Sequence, residues 1–179
     1  ALAVGKRLLK QEAEALSTLA NCLDSSFSKA VEILSITAGR VVVAGIGKSG
    51  HVARKIAATL ASTGMPALFV HPSEASHGDL GMITTQDSMI LLSKSGESSE
   101  LADLVEISQR FAIPLVAICA DSESTLARAA RVTLSLPDVP EACPMGLAPT
   151  TSSTMMMALG DALAIALLER QGFSVDNFH

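Results

Sequence analysis

The sequence predicts an α/β protein with three αβα layers, built on a doubly wound, five-stranded parallel sheet. Five short apolar runs rich in Val, Ile and Leu alternate with helical stretches, and this alternation is typical of βαβ crossovers. Hydrophobic residues make up 49% of the chain, but aromatic residues only 3%, so the core must consist of Ala, Val, Ile, Leu and Met. Such a core suits a parallel sheet covered by Ala-rich helices. Five strands favour a flavodoxin-like order over a barrel.

Two helices are predicted before the first strand. Leucines at helical spacing give an amphipathic pattern over 2–20. Asp24 and the two serines after it are typical N-cap residues for a second helix that continues to about residue 38. Gly39 then ends this helix.

The rest of the chain alternates strands with helices. The predicted strands are 40–44, 67–70, 88–92, 115–119 and 131–136. The predicted helices are 49–62, 98–111, 124–130 and 151–171, with a short turn or helix near 74–77 and Gly172 as the last stop signal.

Composition and charge exclude several classes of function. The 179 residues predict one domain, and 13 basic against 18 acidic residues give a net charge of −5, unlike the basic footprint of a nucleic-acid-binding protein. No apolar run is long enough for a membrane-spanning helix, so we expect no membrane partner.

Cys22, Cys119 and Cys143 are scattered without metal or disulfide spacing, which fits a reducing cytoplasm. A catalytic role for Cys143 is disfavoured because its neighbours in the loop are apolar.

Ligands of doubly wound sheets bind beyond the carboxyl ends of the strands, so the loops there carry the functional prediction. The strand 88–92 runs into a loop with hydroxyls at Ser93, Ser95, Ser98 and Ser99, followed by a predicted helix. Serine hydroxyls and free N–H groups at a helix start are suited to hold a phosphate. A single serine here would be explained as an N-cap, but four exceed what a cap needs.

Two further loops carry charged or ionisable residues. The glycine-rich loop 45–50 lacks P-loop spacing, and its glycines are explained equally well by a tight turn. Lys48 in this loop either stabilises an anion or is simply solvated. The loop 71–79 contains His71 and His77, whose spacing matches no standard zinc motif; His71 is explained equally well as a packed, hydrogen-bonded residue.

The loop before the last helix carries a lone carboxylate. Glu141 lies in an apolar, Pro-rich segment, and five successive hydroxyl residues, 150–154, open the helix. We expect burial to raise the pKa of Glu141 into the range that suits a general base. The hydroxyl-rich helix start is a second candidate contact for an anion or a sugar.

Taken in order, these loops resemble those of sugar isomerase (SIS) domains and, among them, D-arabinose 5-phosphate isomerases. The segments that carry the resemblance are 45–50, 61–64, 69–72, 77–82, 95–100 and 141–150. The resemblance extends from about residue 5 to 178, nearly the whole chain. The serine motif alone indicates only a phosphosugar domain, whereas 77–82 and 141–150 are specific to the isomerase group.

The resemblance implies an aldose–ketose isomerase that interconverts D-ribulose 5-phosphate and D-arabinose 5-phosphate, a reaction that in the family feeds the synthesis of 3-deoxy-D-manno-octulosonate for lipopolysaccharide or capsule. It implies catalytic roles for Lys48, Glu100 and Glu141. The residues expected to contact substrate are Gly47, Ser49, Gly64, Met65, His77, Ser93, Ser95, Ser98, Asp103, Pro137, Asp138, Val139 and Thr150. No cofactor is required, and His71 corresponds to a histidine associated with zinc that inhibits rather than catalyses.

The chain departs from the family pattern at two places. Lys94 stands where relatives often carry Asn, and it adds positive charge near the expected phosphate. The family also uses a catalytic histidine in a Ser-His-Pro-Gly-Gly-like segment after the last helix. His179 precedes that position and is not assigned its role. We expect a single SIS domain over 1–179, with 1–38 as N-terminal helices, and without the pair of CBS domains that many relatives carry.

Isomerisation through an enediolate needs a base and a group that stabilises a developing oxyanion. We expect Ser93, Ser95, Ser98 and the helix start to bind phosphate, Lys48 to stabilise negative charge, and Glu141 to move the proton. Glu100 and His77 would orient hydroxyls or assist ring opening. Two alternatives stay open, namely a regulatory SIS domain that senses a phosphosugar and an isomerase of another phosphosugar. Surplus apolar surface on the terminal helices predicts a homo-oligomer.

Overall fold

The computed structural model describes residues 1–172 and shows a five-stranded, all-parallel sheet. The strands are β1 (Val41–Gly45), β2 (Ala67–Phe69), β3 (Ser88–Leu92), β4 (Leu115–Cys119) and β5 (Val132–Ser135). Their order in the sheet is β2-β1-β3-β4-β5, which is the doubly wound arrangement predicted from the sequence. The predicted fold class is therefore confirmed.

Seven α-helices cover the two faces of this sheet within the described residues. They are α1 (Leu2–Cys22), α2 (Ser25–Ser35), α3 (Gly47–Ser62), α4 (Pro72–Ser76), α5 (Ala102–Arg110), α6 (Thr125–Ala129) and α7 (Thr151–Gln171). The helices α1, α2, α3 and α7 share one apolar cluster with the sheet, and α4, α5 and α6 share the other. The three αβα layers predicted from the sequence are present.

Alternate side chains of each strand enter the two clusters, as the period of two in a strand requires. In β1, for example, Val41 and Val43 pack towards α3 and α7, whereas Val42 and Ala44 pack towards α4 and α5. Burial on both faces explains why the strands are continuous apolar runs rather than alternating ones.

The helices α3 and α7 approach each other unusually closely. Gly160 of α7 lies against Ile56 of α3, and a Cβ atom at residue 160 would be 2.3 Å from Ile56 Cγ1. Lys55 and Asp161 form an ion pair across the same pair of helices. These contacts fix α3 and α7 relative to each other. The N-terminal ends of both helices carry candidate site residues.

Two helix predictions differ from the structure. The helix expected over 98–111 begins as a 3-10 turn, Ser99–Leu101, and the α-helix proper starts only at Ala102. The second helix ends at Ser35 rather than near residue 38, because the chain must turn to enter the sheet. There Gly39 N–H donates to the Gln86 carbonyl (2.8 Å) and Arg40 N–H to the Asp87 carboxylate (2.7 Å).

Contrary to the expectation that no apolar run is long enough, α7 could cross a membrane by length and composition, and it is the one such helix among the described residues. Half of its most apolar stretch is buried inside the fold, where it packs on α1, α2 and α3. This burial is typical of a core helix, so the helix gives only weak evidence for a membrane-spanning segment.

Candidate active site

The candidate site lies where the strand order of the sheet reverses. The strands β1 and β3 are neighbours, but the helices that follow them, α3 and α5, pack on opposite faces of the sheet. Their loops separate and leave a crevice at the carboxyl edge, which is where doubly wound folds bind ligands. Lys48 and Ser49 begin α3 on one side of this crevice, and the serine-rich loop after β3 lies on the other.

The serine-rich loop, residues 93–98, is held in shape by its own hydroxyls. Ser93 is 3% exposed, its Oγ lies 2.8 Å from Ser98 Oγ, and it also accepts from the Gly96 N–H (3.1 Å). The Ser93 hydroxyl therefore helps to shape the loop, and its direct contact with phosphate stays a prediction. Ser98 makes no side-chain cap for the following turn, which argues against the plain N-cap interpretation.

Other polar groups of the loop remain available to a ligand. Ser95 is exposed, and Ser98 is half-buried. Within residues 1–172, the backbone N–H groups of Ser95 and Ser98 donate to no protein acceptor. The first N–H groups of α3 have no partner inside their helix either. These donors lie in the loops after two neighbouring strands and suit an anionic group such as a phosphate.

A second set of contacts fixes the serine-rich loop to the neighbouring helix α6. The Glu97 carboxylate accepts from both the N–H and the Oγ of Thr125, each at 2.7 Å. These two hydrogen bonds lower the pKa of Glu97. Gly96 has a φ of +71°, and a Cβ there would be 2.0 Å from Ser124 Oγ, so only glycine fits. The sequence does not indicate this role of Glu97, because its partner lies 28 residues away.

Glu141 is the most strongly bound carboxylate of the site. Its side chain is only 5% exposed and lies at the start of α7. One oxygen, Oε2, accepts from the N–H groups of Thr150 (2.8 Å) and Ser152 (3.2 Å), and from Thr150 Oγ1 (3.3 Å). The other oxygen, Oε1, accepts from Lys94 Nζ at 2.8 Å.

These contacts reverse the predicted pKa shift of Glu141. Burial raises the pKa, as the sequence analysis expected. However, the Lys94 ammonium and the donors at the start of α7 stabilise the charged form more strongly and lower the pKa to about 2. The expectation of a raised pKa is therefore wrong for the free protein. Glu141 is ionised at neutral pH but is too weakly basic in this state to take a proton from carbon readily.

Lys94 has a partner that the sequence does not indicate. The sequence predicts it only as extra charge near a phosphate, whereas the structure pairs it with Glu141, 47 residues further along the chain. A lysine directly after a central strand, at the carboxyl edge, was the available signal. The Lys94 side chain is half exposed, so the pair joins a solvated cation to a buried anion.

The other predicted catalytic and hydroxyl-orienting residues lie at the same edge of the sheet without forming a connected cluster. Lys48, His77 and Glu100 are exposed. In the part of the chain that the structure describes, no ion pair involves any of the three. The Ser99 hydroxyl donates to Glu100 Oε2 at 3.3 Å, and the turn that carries Glu100 packs beside α4.

The predicted substrate contacts divide into two groups by position. Those at the carboxyl edge of the sheet, together with the first turns of the helices that start there, are Gly47, Ser49, His77, Ser95, Ser98, Asp103, Pro137, Asp138, Val139 and Thr150. Gly64 and Met65 instead follow the far end of α3 and precede β2, at the amino edge. A 16-residue helix is about 24 Å long, so these two residues do not join the candidate site of the same chain.

His71, for which the resemblance implies inhibitory zinc, is hydrogen-bonded to the backbone. Its Nδ1 accepts from the Ser73 N–H (3.3 Å) and caps the short helix α4, which supports the hydrogen-bonded interpretation. Among residues 1–172, no three His, Cys, Asp or Glu side chains are grouped to hold a metal ion. Inhibitory zinc at His71 therefore gains no support from its surroundings.

A cavity of about 460 Å³ lies on the outer side of the serine-rich loop, between α5 and α6. It is lined by Ser98 and Ser99 but not by Lys48, His77 or Glu141. The cavity is therefore distinct from the crevice in which the candidate catalytic groups lie.

The comparisons with known proteins identify the family of the chain. The SIS domain model matches residues 35–166, and the chain belongs to the SIS domain family. It is 51% identical over 174 residues to the arabinose 5-phosphate isomerase KdsD of Shigella flexneri, and 51% identical over 173 residues to that of Pseudomonas aeruginosa. Each alignment covers 97% of this chain but 53% of the relative, so the chain spans about half the length of these curated relatives.

A solved structure from Escherichia coli CFT073, determined in complex with arabinose 5-phosphate, has the same fold. It superimposes with a TM-score of 0.95 at 38% identity, covering 99% of this chain and 94% of that chain.

Proposed function

We propose that this chain is the catalytic domain of an arabinose 5-phosphate isomerase, which interconverts D-ribulose 5-phosphate and D-arabinose 5-phosphate. The observation that carries the proposal is the 51% identity to enzymes of that name over 97% of the chain. The similar structure in complex with arabinose 5-phosphate supports a phosphosugar as substrate. The same identification supports a place in the supply of 3-deoxy-D-manno-octulosonate for lipopolysaccharide or capsule.

The geometry of the site suits the chemistry. The phosphate would bind the free N–H groups of the serine-rich loop and the first turn of α3, with the Ser95 hydroxyl as a further donor. Lys48, exposed at the start of α3, would face the sugar oxygens and stabilise their developing negative charge. A substrate placed in this way would extend from the switch point towards the start of α7, where Glu141 lies.

The reaction is a proton transfer between adjacent carbons. The Glu141 carboxylate takes a proton from C1 of the ketose, the electrons of that C–H bond form the C1=C2 double bond, and the C2 oxygen becomes the enediolate anion. The hydroxyl proton on O1 moves to O2, and Glu141 returns its proton to C2, which leaves an aldehyde at C1. Each step balances without an oxidant, a reductant or a metal ion.

Glu100 and His77 are proposed to orient sugar hydroxyls rather than to move the carbon-bound proton. Both are exposed at the carboxyl edge of the sheet. The burial of Glu141 distinguishes it from Glu100 as the proposed base, because desolvation strengthens a carboxylate base once its charged partner is removed.

A direct assay tests the proposed function. The native full-length protein is incubated with D-ribulose 5-phosphate, and formation of D-arabinose 5-phosphate is followed by NMR. We expect turnover, and we expect Glu141→Gln to lower kcat by at least about 100-fold. Glu169→Gln, which changes an exposed carboxylate at the far end of α7, is the matched control and should retain native turnover.

Two results of this assay would contradict the proposal. Near-native turnover of Glu141→Gln would remove Glu141 as the base. Binding of the phosphosugar without any turnover would instead favour a sensing SIS domain.

We also propose a cytoplasmic homo-oligomer that binds neither nucleic acid nor a membrane. Apolar side chains are exposed on α1 and α7, including Leu2 (74%), Leu9 (67%) and Ile165 (49%). The helices α1 and α7 pack on each other, so these exposed apolar residues lie on neighbouring helices. The surface of a stable monomer seldom carries such residues in quantity, which supports a contact between copies.

A further inference from the structure

The two oxygens of Glu141 are held by partners of very different mobility. Oε2 is fixed by two backbone N–H groups at the start of α7, a 21-residue helix packed into the core. Oε1 is held within the described residues only by the ammonium of Lys94, at the end of a flexible, half-exposed side chain. If Lys94 moves away, Glu141 keeps its position and Oε1 becomes free.

Lys94 can move without disturbing the loop that carries it. The backbone on either side is tied to β4: the Ser93 N–H donates to the Ile118 carbonyl (3.1 Å), and the Lys94 carbonyl accepts from the Ala120 N–H (2.9 Å). Only the four-carbon side chain has to rotate. Lys94 also lies between Ser93 and Ser95, directly beside the N–H groups proposed to bind the phosphate.

We propose that Lys94 is a positioning residue that holds Glu141 Oε1 in the free protein and leaves it for the phosphate of the incoming substrate. A sugar phosphate carries close to two negative charges at neutral pH, whereas Glu141 carries one, so the ammonium is attracted more strongly to the bound phosphate. Its departure frees Oε1 of Glu141. This inference rests on the proposed function and adds a substrate-triggered step to it.

Departure of Lys94 also changes the basicity of Glu141. The ammonium is one of the groups that keep the pKa near 2, and burial acts in the opposite direction. The loop that carries Glu141 has two other titratable side chains, Asp138 and Cys143. From α1, Glu14 lines a groove with Val139 and Pro140 of the same loop. The stretch 151–160 of α7 carries no charge. The proposed movement of Lys94 therefore makes Glu141 a stronger base when substrate is present.

The first test follows the Glu141 carboxyl carbon by ¹³C NMR, with the signal assigned from its absence in Glu141→Gln. Inorganic sulfate is the probe, because, unlike phosphate, it stays a dianion over the pH range in which the raised pKa of Glu141 is expected. In the native protein, we expect sulfate to raise the pKa of Glu141 by about 1 to 2 pH units. In Lys94→Met, we expect that rise to be present already without sulfate and to be insensitive to sulfate. Sodium chloride at equal ionic strength controls for screening.

Lys55→Met is the matched control variant. Lys55 is similarly half exposed and paired with a carboxylate, Asp161, but it lies between α3 and α7. It should respond to sulfate as the native protein does. Lys94→Gln serves as a second variant if Lys94→Met unfolds. An unchanged Glu141 pKa when sulfate is added to the native protein, or an equal response in the Lys94 variants, would overturn the proposal.

Kinetics separate this role from a merely structural one. Lys94→Met should raise KM about tenfold through the lost phosphate contact, while kcat stays within about threefold of the native value. Lys94→Arg should bring KM most of the way back to the native value. A large fall in kcat with an unchanged KM would overturn the proposal. The sulfate titration requires no turnover, so failure of the native protein to isomerise ribulose 5-phosphate would count against the proposed function alone.

Discussion

At the scale of single residues, the Glu141 carboxylate determines how the candidate site responds to acid. Its folded pKa of about 2 lies below the ordinary value of 4.5. A depressed carboxylate pKa stabilises the fold fully above the unfolded pKa, and this stabilisation is lost as the pH falls through the folded pKa. The window of loss for Glu141 is therefore about pH 4.5 down to 2.

The size of this effect can be measured by comparison with Glu141→Gln. The difference of about 2.5 pH units between the two pKa values corresponds to about 3 kcal/mol of unfolding free energy. Urea denaturation at a series of pH values should show the native protein losing up to that much more stability than Glu141→Gln between pH 4.5 and 2. Parallel curves for the two proteins would show that the ion pair and the helix cap contribute little.

At the scale of elements, the bond between Glu97 and Thr125 is expected to preorganise the serine-rich loop. Glu97→Ala removes both hydrogen bonds to α6 and leaves the loop free to shift, so its N–H groups lose their alignment with the phosphate. We predict a rise in KM of roughly tenfold, measured by steady-state kinetics. Glu123→Ala, two residues from Thr125 and exposed, is the control and should retain the native KM. An equal rise in KM in both variants would contradict the proposal that Glu97 holds the serine-rich loop against α6.

The packing of α3 on α7 gives a second prediction for elements, with a paired control. Gly160→Ala places a methyl group against Ile56 in the tightest contact between these helices, and should destabilise the fold by about 1 to 3 kcal/mol. Gly5→Ala makes the same chemical change in α1, where nothing lies within 4 Å, and should stabilise by about 0.5 to 1 kcal/mol. Thermal denaturation of both variants checks that the first is less stable and the second more stable than the native protein. A Gly160→Ala variant more stable than the native protein would show that α3 and α7 separate easily.

At the scale of the whole molecule, the sequence predicted the sheet better than it predicted the site. All five strands lie where the buried apolar runs indicated, because a strand buried on both faces leaves a local signal. The switch point followed from the strand order. The Lys94–Glu141 pair could not be predicted, since 47 residues separate its members and a sequence carries no distances between side chains. The predicted pKa shift of Glu141 was wrong for the same reason: burial was foreseen, but its partners were not.

The oligomeric state is a further prediction for the whole molecule. We expect the full-length protein to sediment as a dimer or larger species at micromolar concentration, because apolar residues of α1 and α7 are exposed in the single chain. Leu9→Glu places a charge on this surface and should shift the equilibrium towards smaller species. Leu23→Glu, at another exposed leucine, is the comparison. A monomer in the native protein would contradict the proposed contact.

The central claim is that this site moves a proton between C1 and C2 of a phosphosugar. Isomerisation of D-ribulose 5-phosphate in heavy water tests it most directly, with the product analysed by ¹H NMR. A carboxylate base that exchanges its proton with solvent should place deuterium at C2 of D-arabinose 5-phosphate, and Glu141→Gln should abolish this labelling. Labelling that persists in Glu141→Gln, or isomerisation by that variant at the native rate, would contradict the account.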